Sequence, residues 1–341
     1  MLTAGLLVAA IACSPERPRP KPEPERAPAQ PEAERAAAPD VDAPEVDDPA
    51  ARERARIDVH VHLVDNAVDE LLAALDRAQI EAAVVLASPH LDPALRPPDP
   101  SDPFSGWREA NDRLLLLSAD HRVRLLPFIT VDPADVEVAE LERWLGAGAC
   151  GVKLYIGHHA LHARPLADPA HAELFAALER EAVPVLLHVN TFRFEAELDA
   201  LLAAYPKLKL VCPHLCGART DIDRLERLLA KHPALLVDTS HGPGEPGVAG
   251  FANLDAERER VRALIEAQPE RFLFGSDLVT TRYGAEGAWD RQLDANLGLL
   301  ERAEFEFTGT DYRGLALGDA ALAAVLHDNA ARWLAGCRAA P

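Results

Sequence analysis

Eight short apolar runs rich in Val, Ile and Leu recur along this chain, at about 55–63, 80–88, 123–131, 150–157, 183–190, 207–216, 234–241 and 271–279. Between them lie stretches such as VDELLAALDRA, VEVAELERWLGAG and DIDRLERLLAKH, with Leu and Ala at three- and four-residue spacing and charges elsewhere. That spacing lays one apolar stripe along a helix. Strands alternating with helices predict parallel strand–helix–strand units, and eight of them predict a (β/α)8 barrel of the TIM type. A doubly wound open sheet satisfies the same alternation. It does not bring the ends of the first, fifth, sixth and eighth strands together, and a closed barrel does. The sequence shows no internal repeat and no second domain. The segment from Pro89 to Trp107, rich in Pro and Asp, reads as an insert after the second strand and a candidate lid on the rim.

The chemistry-bearing residues sit at or just past the ends of these runs. They are His60 and His62 in ARIDVHVHL, Lys153 in CGVKLYIG, His188 in VPVLLHVN, His214 in LKLVCPHLCG and Asp277 in RFLFGSDLV. Residues i and i+2 of a strand share a face, so His60 and His62 project together. Histidines and an aspartate delivered by separate strand ends to one rim predict a metal site with hydrolytic use. Neutral imidazoles suit Zn²⁺ and similar divalent ions. Arg219 and Arg282 are rim cations placed to meet an acidic substrate. His158, His159 and His241 follow strand ends and are expected as solvated loop histidines within reach of substrate. Asp58 alternates with His60 and is expected to support it. Asn329 is expected to pack or cap in the terminal helix.

Composition narrows the partners. A formal charge of −20 argues against nucleic acid, whose binders need a basic stripe. No stretch is long and apolar enough to span a bilayer. Residues 1–12 are apolar and small and end at Cys13, which resembles a bacterial lipoprotein signal with an acylated cysteine. Ser14 after that cysteine would by the same resemblance favour the outer membrane. Residues 13–54 then run through Pro, Glu, Arg and Ala with almost no large apolar side chain, so they are expected to form a disordered tether. The layout implies a periplasmic lipoprotein whose only membrane contact is its lipid, with a barrel domain over 55–337. Cys150, Cys212, Cys216 and Cys337 are expected as core thiols, with a disulfide the alternative in an oxidising compartment. Cys212 and Cys216 flank His214 but lack the further paired cysteines of a zinc knuckle.

Taken in order, IDVHVHL, GVKLY, LLHVN, CPHLCG, FGSD and HDNAARWL resemble the amidohydrolase superfamily, most closely its amidohydrolase-related branch, across roughly residues 55 to 336. The resemblance implies a metal-dependent enzyme, with His60, His62, His188 and Asp277 holding one divalent metal, most simply zinc. Asp277 would serve as general base and acid, and His214 would face the substrate. In binuclear members of the superfamily a fourth-strand lysine is carboxylated and bridges two metals. Lys153 stands at that position, so two metals with His214 as a further ligand is the alternative. An unmodified Lys153 binding substrate is equally compatible. The expected activity is hydrolysis of a C–N or C–O bond in a small amide, lactone or ester. A metal-dependent decarboxylase or hydratase of an unsaturated or aromatic acid uses the same ligands and is the runner-up. A tethered binding protein on a disarmed barrel would have lost a ligand, and all are present. Substrate identity and oligomeric state are not legible.

Overall fold

The computed structural model describes residues 55–96, 98–99, 101–102, 104–241, 250–281 and 287–337. The expected signal, Cys13, the tether and Arg282 lie outside the described residues. The described part belongs to a compact unit beginning at Ala55.

Seven parallel strands follow one another in sequence order: β1 (Ile57–His62), β2 (Ala82–Leu86), β3 (Leu125–Thr130), β4 (Gly151–Gly157), β5 (Val185–Val189), β6 (Leu210–Cys212) and β7 (Leu236–Asp238). The eighth apolar run is split. Its first part, β8 (Phe272–Leu273), pairs with β7, and its second part, β9 (Leu278–Val279), pairs with β1. Between them Phe274 accepts a backbone hydrogen bond from Val59 (3.0 Å). One chain segment therefore bridges the first and seventh strands, and the sheet closes on itself. The expected (β/α)8 barrel is the architecture observed.

Alternation along the strands sorts the core into two apolar clusters. Ile57, Val59, Val84, Phe128, Leu186, Val211 and Leu273 fill one with Trp333 and Leu334, while Val61, Val85, Val152, Leu154, Leu187 and Val237 pack with the helices in the other. The first cluster is the barrel interior, plugged by the helix Asn329–Trp333. Trp333 packs on Phe128 with ring centroids 5.2 Å apart and donates its indole N–H to the Lys209 carbonyl (3.0 Å). Asn329 packs and caps as expected, donating to the carbonyls of Pro269 and Phe272 (2.7 and 2.6 Å). The surrounding helices follow the apolar stripes. In Ile222–Lys231 the buried set includes Ile222, Leu225, Leu228 and Leu229, and Asp221 caps the first turn by accepting from the Arg224 amide.

Two features depart from the sequence reading. A hairpin of β10 (Glu304–Phe307) and β11 (Thr310–Arg313) follows the barrel, and its buried Phe305 and Phe307 pack edge-on against Phe251 at 5.1 and 5.3 Å. The alternating EFEF and the TGT turn carried that signal. The cysteines are not core thiols: Cys150 pairs with Cys337 and Cys212 with Cys216, their Cα atoms 4.9 and 4.7 Å apart, inside the usual disulfide range. The first bond ties the approach to β4 to the segment after the plug helix. Such a 187-residue separation is invisible before the barrel folds.

Candidate metal centre

The first strand carries a bulge that sets up the site. Ile57 and Asp58 pair with Ala82 and Ala83, but Val61 and His62 pair with Val85 and Leu86, one residue out of step. An extra residue reverses the alternation locally. Ile57 and Val59 can then fill the interior while His60 and His62 face the same interior at its C-terminal end. Their ring centroids are 5.1 Å apart.

Each ring is fixed from behind. His60 Nδ1 lies 2.8 Å from Asp238 Oδ2, and both groups are fully buried. A carboxylate only accepts, so Nδ1 carries the proton and Nε2 presents a lone pair. Burial, with Lys153 nearby, pushes the His60 pKa down to about 3 and keeps the ring neutral. His60 holds Asp238 ionised against its own burial. His62 Nδ1 lies 2.6 Å from Ser88 Oγ, which is 2.9 Å from the Tyr155 hydroxyl, which donates to the Ala87 carbonyl (3.1 Å). Proton donation running from His62 through Ser88 and Tyr155 satisfies every group. It leaves the His62 Nε2 lone pair facing forward, and burial keeps this ring neutral too.

Asp277 completes the cluster. It lies between β8 and β9, where the chain leaves strand geometry and Asp277 takes a left-handed conformation (φ 54°). Asp tolerates that region better than most residues. Gly275, two residues earlier, leaves room for the site, since a Cβ there would sit 3.1 Å from both His60 Cβ and Asp238 Oδ2 and crowd them. Gln292 clamps the turn from outside by donating to the Ser276 and Asp277 carbonyls (3.0 and 3.2 Å). Asp277 Oδ1 is then 3.2 Å from His60 Nε2 and 3.2 Å from His62 Nε2. Burial opposes its ionisation, but His214, His60 and His62 hold its pKa well below the usual carboxylate range. Two imidazole nitrogens and a carboxylate oxygen thus converge within hydrogen-bond distance, and with both ring protons on Nδ1 they offer three lone pairs to a cation. That donor set fits a divalent cation with nitrogen and oxygen ligands.

His214 reaches the site in an unexpected way. The sixth strand stops at Cys212, and His214, Leu215, Cys216 and Gly217 are all left-handed (φ 59°, 50°, 56° and 65°). The expected strand over 207–216 therefore ends early, turned out of the sheet after Pro213. Successive L-residues in this conformation cost about 1–2 kcal/mol each. Gly217 is needed at the end, because a Cβ there would lie 2.7 Å from the Val189 carbonyl oxygen. The turn places His214 Nδ1 2.9 Å from Ser240 Oγ and its amide 2.8 Å from Asp238 Oδ1. His60, His214 and Asp238 form a second three-donor group that shares His60 with the first.

Lys153 is wholly buried on β4, its Nζ 3.2 Å from His60 Nε2, and burial pulls its pKa down to about 8. His188 stands one ring away. Its centroid is 5.1 Å from His214 and 4.8 Å from His158, and its Nε2 faces the Asn190 amide at 3.5 Å. It belongs to neither three-donor group. Asp58 supports the backbone rather than a ring, accepting from the amides of His60 and Ser276 (2.9 and 3.0 Å). Its burial raises its pKa to about 7. The loop histidines are not solvated as expected. His158 and His159 are half-buried, and His241 is buried with its ring stacked on Phe251 at 5.9 Å. Arg219 is half-buried, and its charge acts on His214 and His241. Sequence reading missed Asp238, Ser240, Ser88 and Tyr155. It also missed His90, whose ring lies 4.6 Å edge-on to Tyr155 and whose pKa burial pushes down to about 3.

The family model described as Amidohydrolase matches residues 57–335. The chain belongs to the amidohydrolase family. Solved structures similar to this amidohydrolase include a probable 2-pyrone-4,6-dicarboxylic acid hydrolase from Acinetobacter baumannii with citric acid bound (14% identity, TM-score 0.59, 82% of this chain and 98% of that one). An amidohydrolase from Burkholderia multivorans with bound zinc is 18% identical, with TM-score 0.55 over 84% of this chain and 99% of that one. A 5-carboxyvanillate decarboxylase from Sphingomonas paucimobilis is 14% identical, with TM-score 0.50 over 82% of this chain and 98% of that one. At these identities the likeness shows the fold. No curated protein matches the amidohydrolase by sequence.

Proposed function

We propose that this amidohydrolase is a metal-dependent hydrolase that cleaves a C–O or C–N bond of a small lactone, ester or amide. The observation that carries this reading is the convergence of His60 Nε2, His62 Nε2 and Asp277 Oδ1 at 3.2 Å with their outer atoms already occupied. These three residues would hold one divalent ion, most simply zinc, with His188 as the fourth protein ligand. A bound zinc would supply a Lewis acid and a water of pKa about 7. Asp277, ionised and partly exposed, takes the proton of the attacking water and returns it to the leaving group. His214, oriented by Ser240, faces the carbonyl being attacked. Lys153 and Arg219 bind acidic parts of the substrate, and Arg282 is assigned the same role. A carboxylated Lys153 bridging two ions, with His214 as ligand, remains the alternative arrangement.

A decarboxylase is the second reading, supported by the likeness to the Sphingomonas enzyme and by a buried lysine beside the site. Product analysis separates the two. The zinc-loaded protein is offered lactones, esters, amides and aromatic carboxylic acids; the hydrolase reading expects a new carboxylate with an alcohol or amine. Release of CO₂ would replace it with the second.

We further propose that the enzyme acts in the periplasm as a lipoprotein anchored through Cys13. Two disulfides support an oxidising compartment. Fatty-acid labelling that survives Cys13→Ser would refute the anchor.

A further inference from the structure

We propose that the Cys212–Cys216 disulfide is a positioning clamp that holds His214 in the site. His214, Leu215 and Cys216 are consecutive non-glycine residues in the left-handed region, closed by the left-handed Gly217. L-residues visit that region singly, and runs of them need an external constraint. Four constraints are present. Asp238 accepts from the His214 amide (2.8 Å), Thr191 Oγ1 donates to the Cys216 carbonyl (2.5 Å), and the Gly217 amide donates to the His214 carbonyl (3.0 Å). The fourth is covalent and joins the last residue of β6 to the third left-handed residue, Cα to Cα 4.7 Å. It alone ties the two ends of the turn to each other regardless of side-chain fluctuations. Both cysteines are wholly buried, so the bond is part of the packed turn and not a surface thiol pair.

The handedness decides where the imidazole goes. Returning His214 from φ 59° to a right-handed turn swings its Cα–Cβ bond away from Ser240, which now lies 2.9 Å from Nδ1. The clamp therefore acts on the ring through the backbone, and neither cysteine touches the reacting groups. Its catalytic consequence rests on reading His214 as a substrate-facing group; its geometric consequence does not.

The test uses the full chain labelled with ¹⁵N-histidine and ¹⁵N-glycine, the His214 ring and Gly217 amide signals being assigned by their loss in His214→Asn and Gly217→Asn. Mass mapping of unreduced peptides should show the 212–216 bond. In C212A/C216A the His214 ring signal should shift or broaden, and Gly217 amide exchange should accelerate by about tenfold or more. In C212A/C216G both should return towards wild type, because glycine takes the left-handed conformation without a clamp. C150A/C337A, which removes the other disulfide, should leave the His214 signal in place. An unchanged His214 ring and unchanged Gly217 exchange in C212A/C216A would overturn the proposal, as would free thiols at both positions in the native protein. Should C212A/C216A not fold, C212A/C216G decides: a folded protein with His214 in place supports the clamp. Failure of both to fold would assign the bond to stability alone and overturn the positioning role.

Discussion

At the scale of single residues, the two ring nitrogens of His60 have separate tasks. Nδ1 is spent on Asp238, 2.8 Å away, and Nε2 faces Asp277 at 3.2 Å. Asp238→Asn keeps the shape but removes the charge that fixes the proton on Nδ1. We expect zinc affinity to fall about 10–100-fold with the fold intact, as for other partners that orient a metal-binding histidine. Competition against a chelator of known affinity measures it, and an unchanged affinity would remove Asp238 from the site. The double variant H60A/H62A should lose both metal and turnover while circular dichroism stays close to wild type. The convergence of His60, His62 and Asp277 was legible because strand ends in a barrel share one rim. Asp238 was not: its partner lies 178 residues away, and VDTSH reads as an ordinary polar strand end.

At the scale of elements, the sequence period located the barrel strands, and the β10–β11 hairpin and local irregularities escaped it. Period-two alternation cannot reveal that β1 gains a residue between Asp58 and Val61, yet that bulge lets His60 and His62 together face the interior that Ile57 and Val59 also fill. Nor can it show that the sixth run ends at Cys212 in a left-handed turn, because Leu215 is as apolar as any strand residue. The eighth run was expected as one strand and is used as two, with Asp277 in the break. The Cys150–Cys337 bond fastens the plug helix under the barrel, far in sequence from the strand it secures. Its removal in C150A/C337A should cost about 2–4 kcal/mol and lower the melting temperature by about 4–8 °C, with metal binding unchanged. Calorimetry on the full chain checks this. An unaltered melting temperature would mean the bond adds nothing to the folded barrel.

At the scale of the whole molecule, buried neutral histidines set the response to acid. Burial pushes His90 and His241 down to about 3 and His158 to about 4, from an ordinary value of 6.5. Between those values and 6.5 the unfolded chain binds protons that the folded one refuses, so stability rises with pH across that window and is lost as pH falls through it. Asp58, raised to about 7, works in the opposite sense between 3.8 and 7. The buried histidines outnumber the one carboxyl, so acidification leaves a net loss of stability. The melting temperature should therefore be lower at pH 5 than at pH 7. An equal or higher value at pH 5 would mean these rings are charged or exposed in the native protein.

On the reading proposed above, the convergent donors of His60, His62 and Asp277 hold a metal ion. Elemental analysis of the full chain, purified without chelators, tests it most directly. About one equivalent of zinc or a similar divalent ion is the expected result. Two equivalents would make Lys153 a carboxylated bridge with His214 as a ligand. None, even after reconstitution with zinc, would mean that these donors hold no metal.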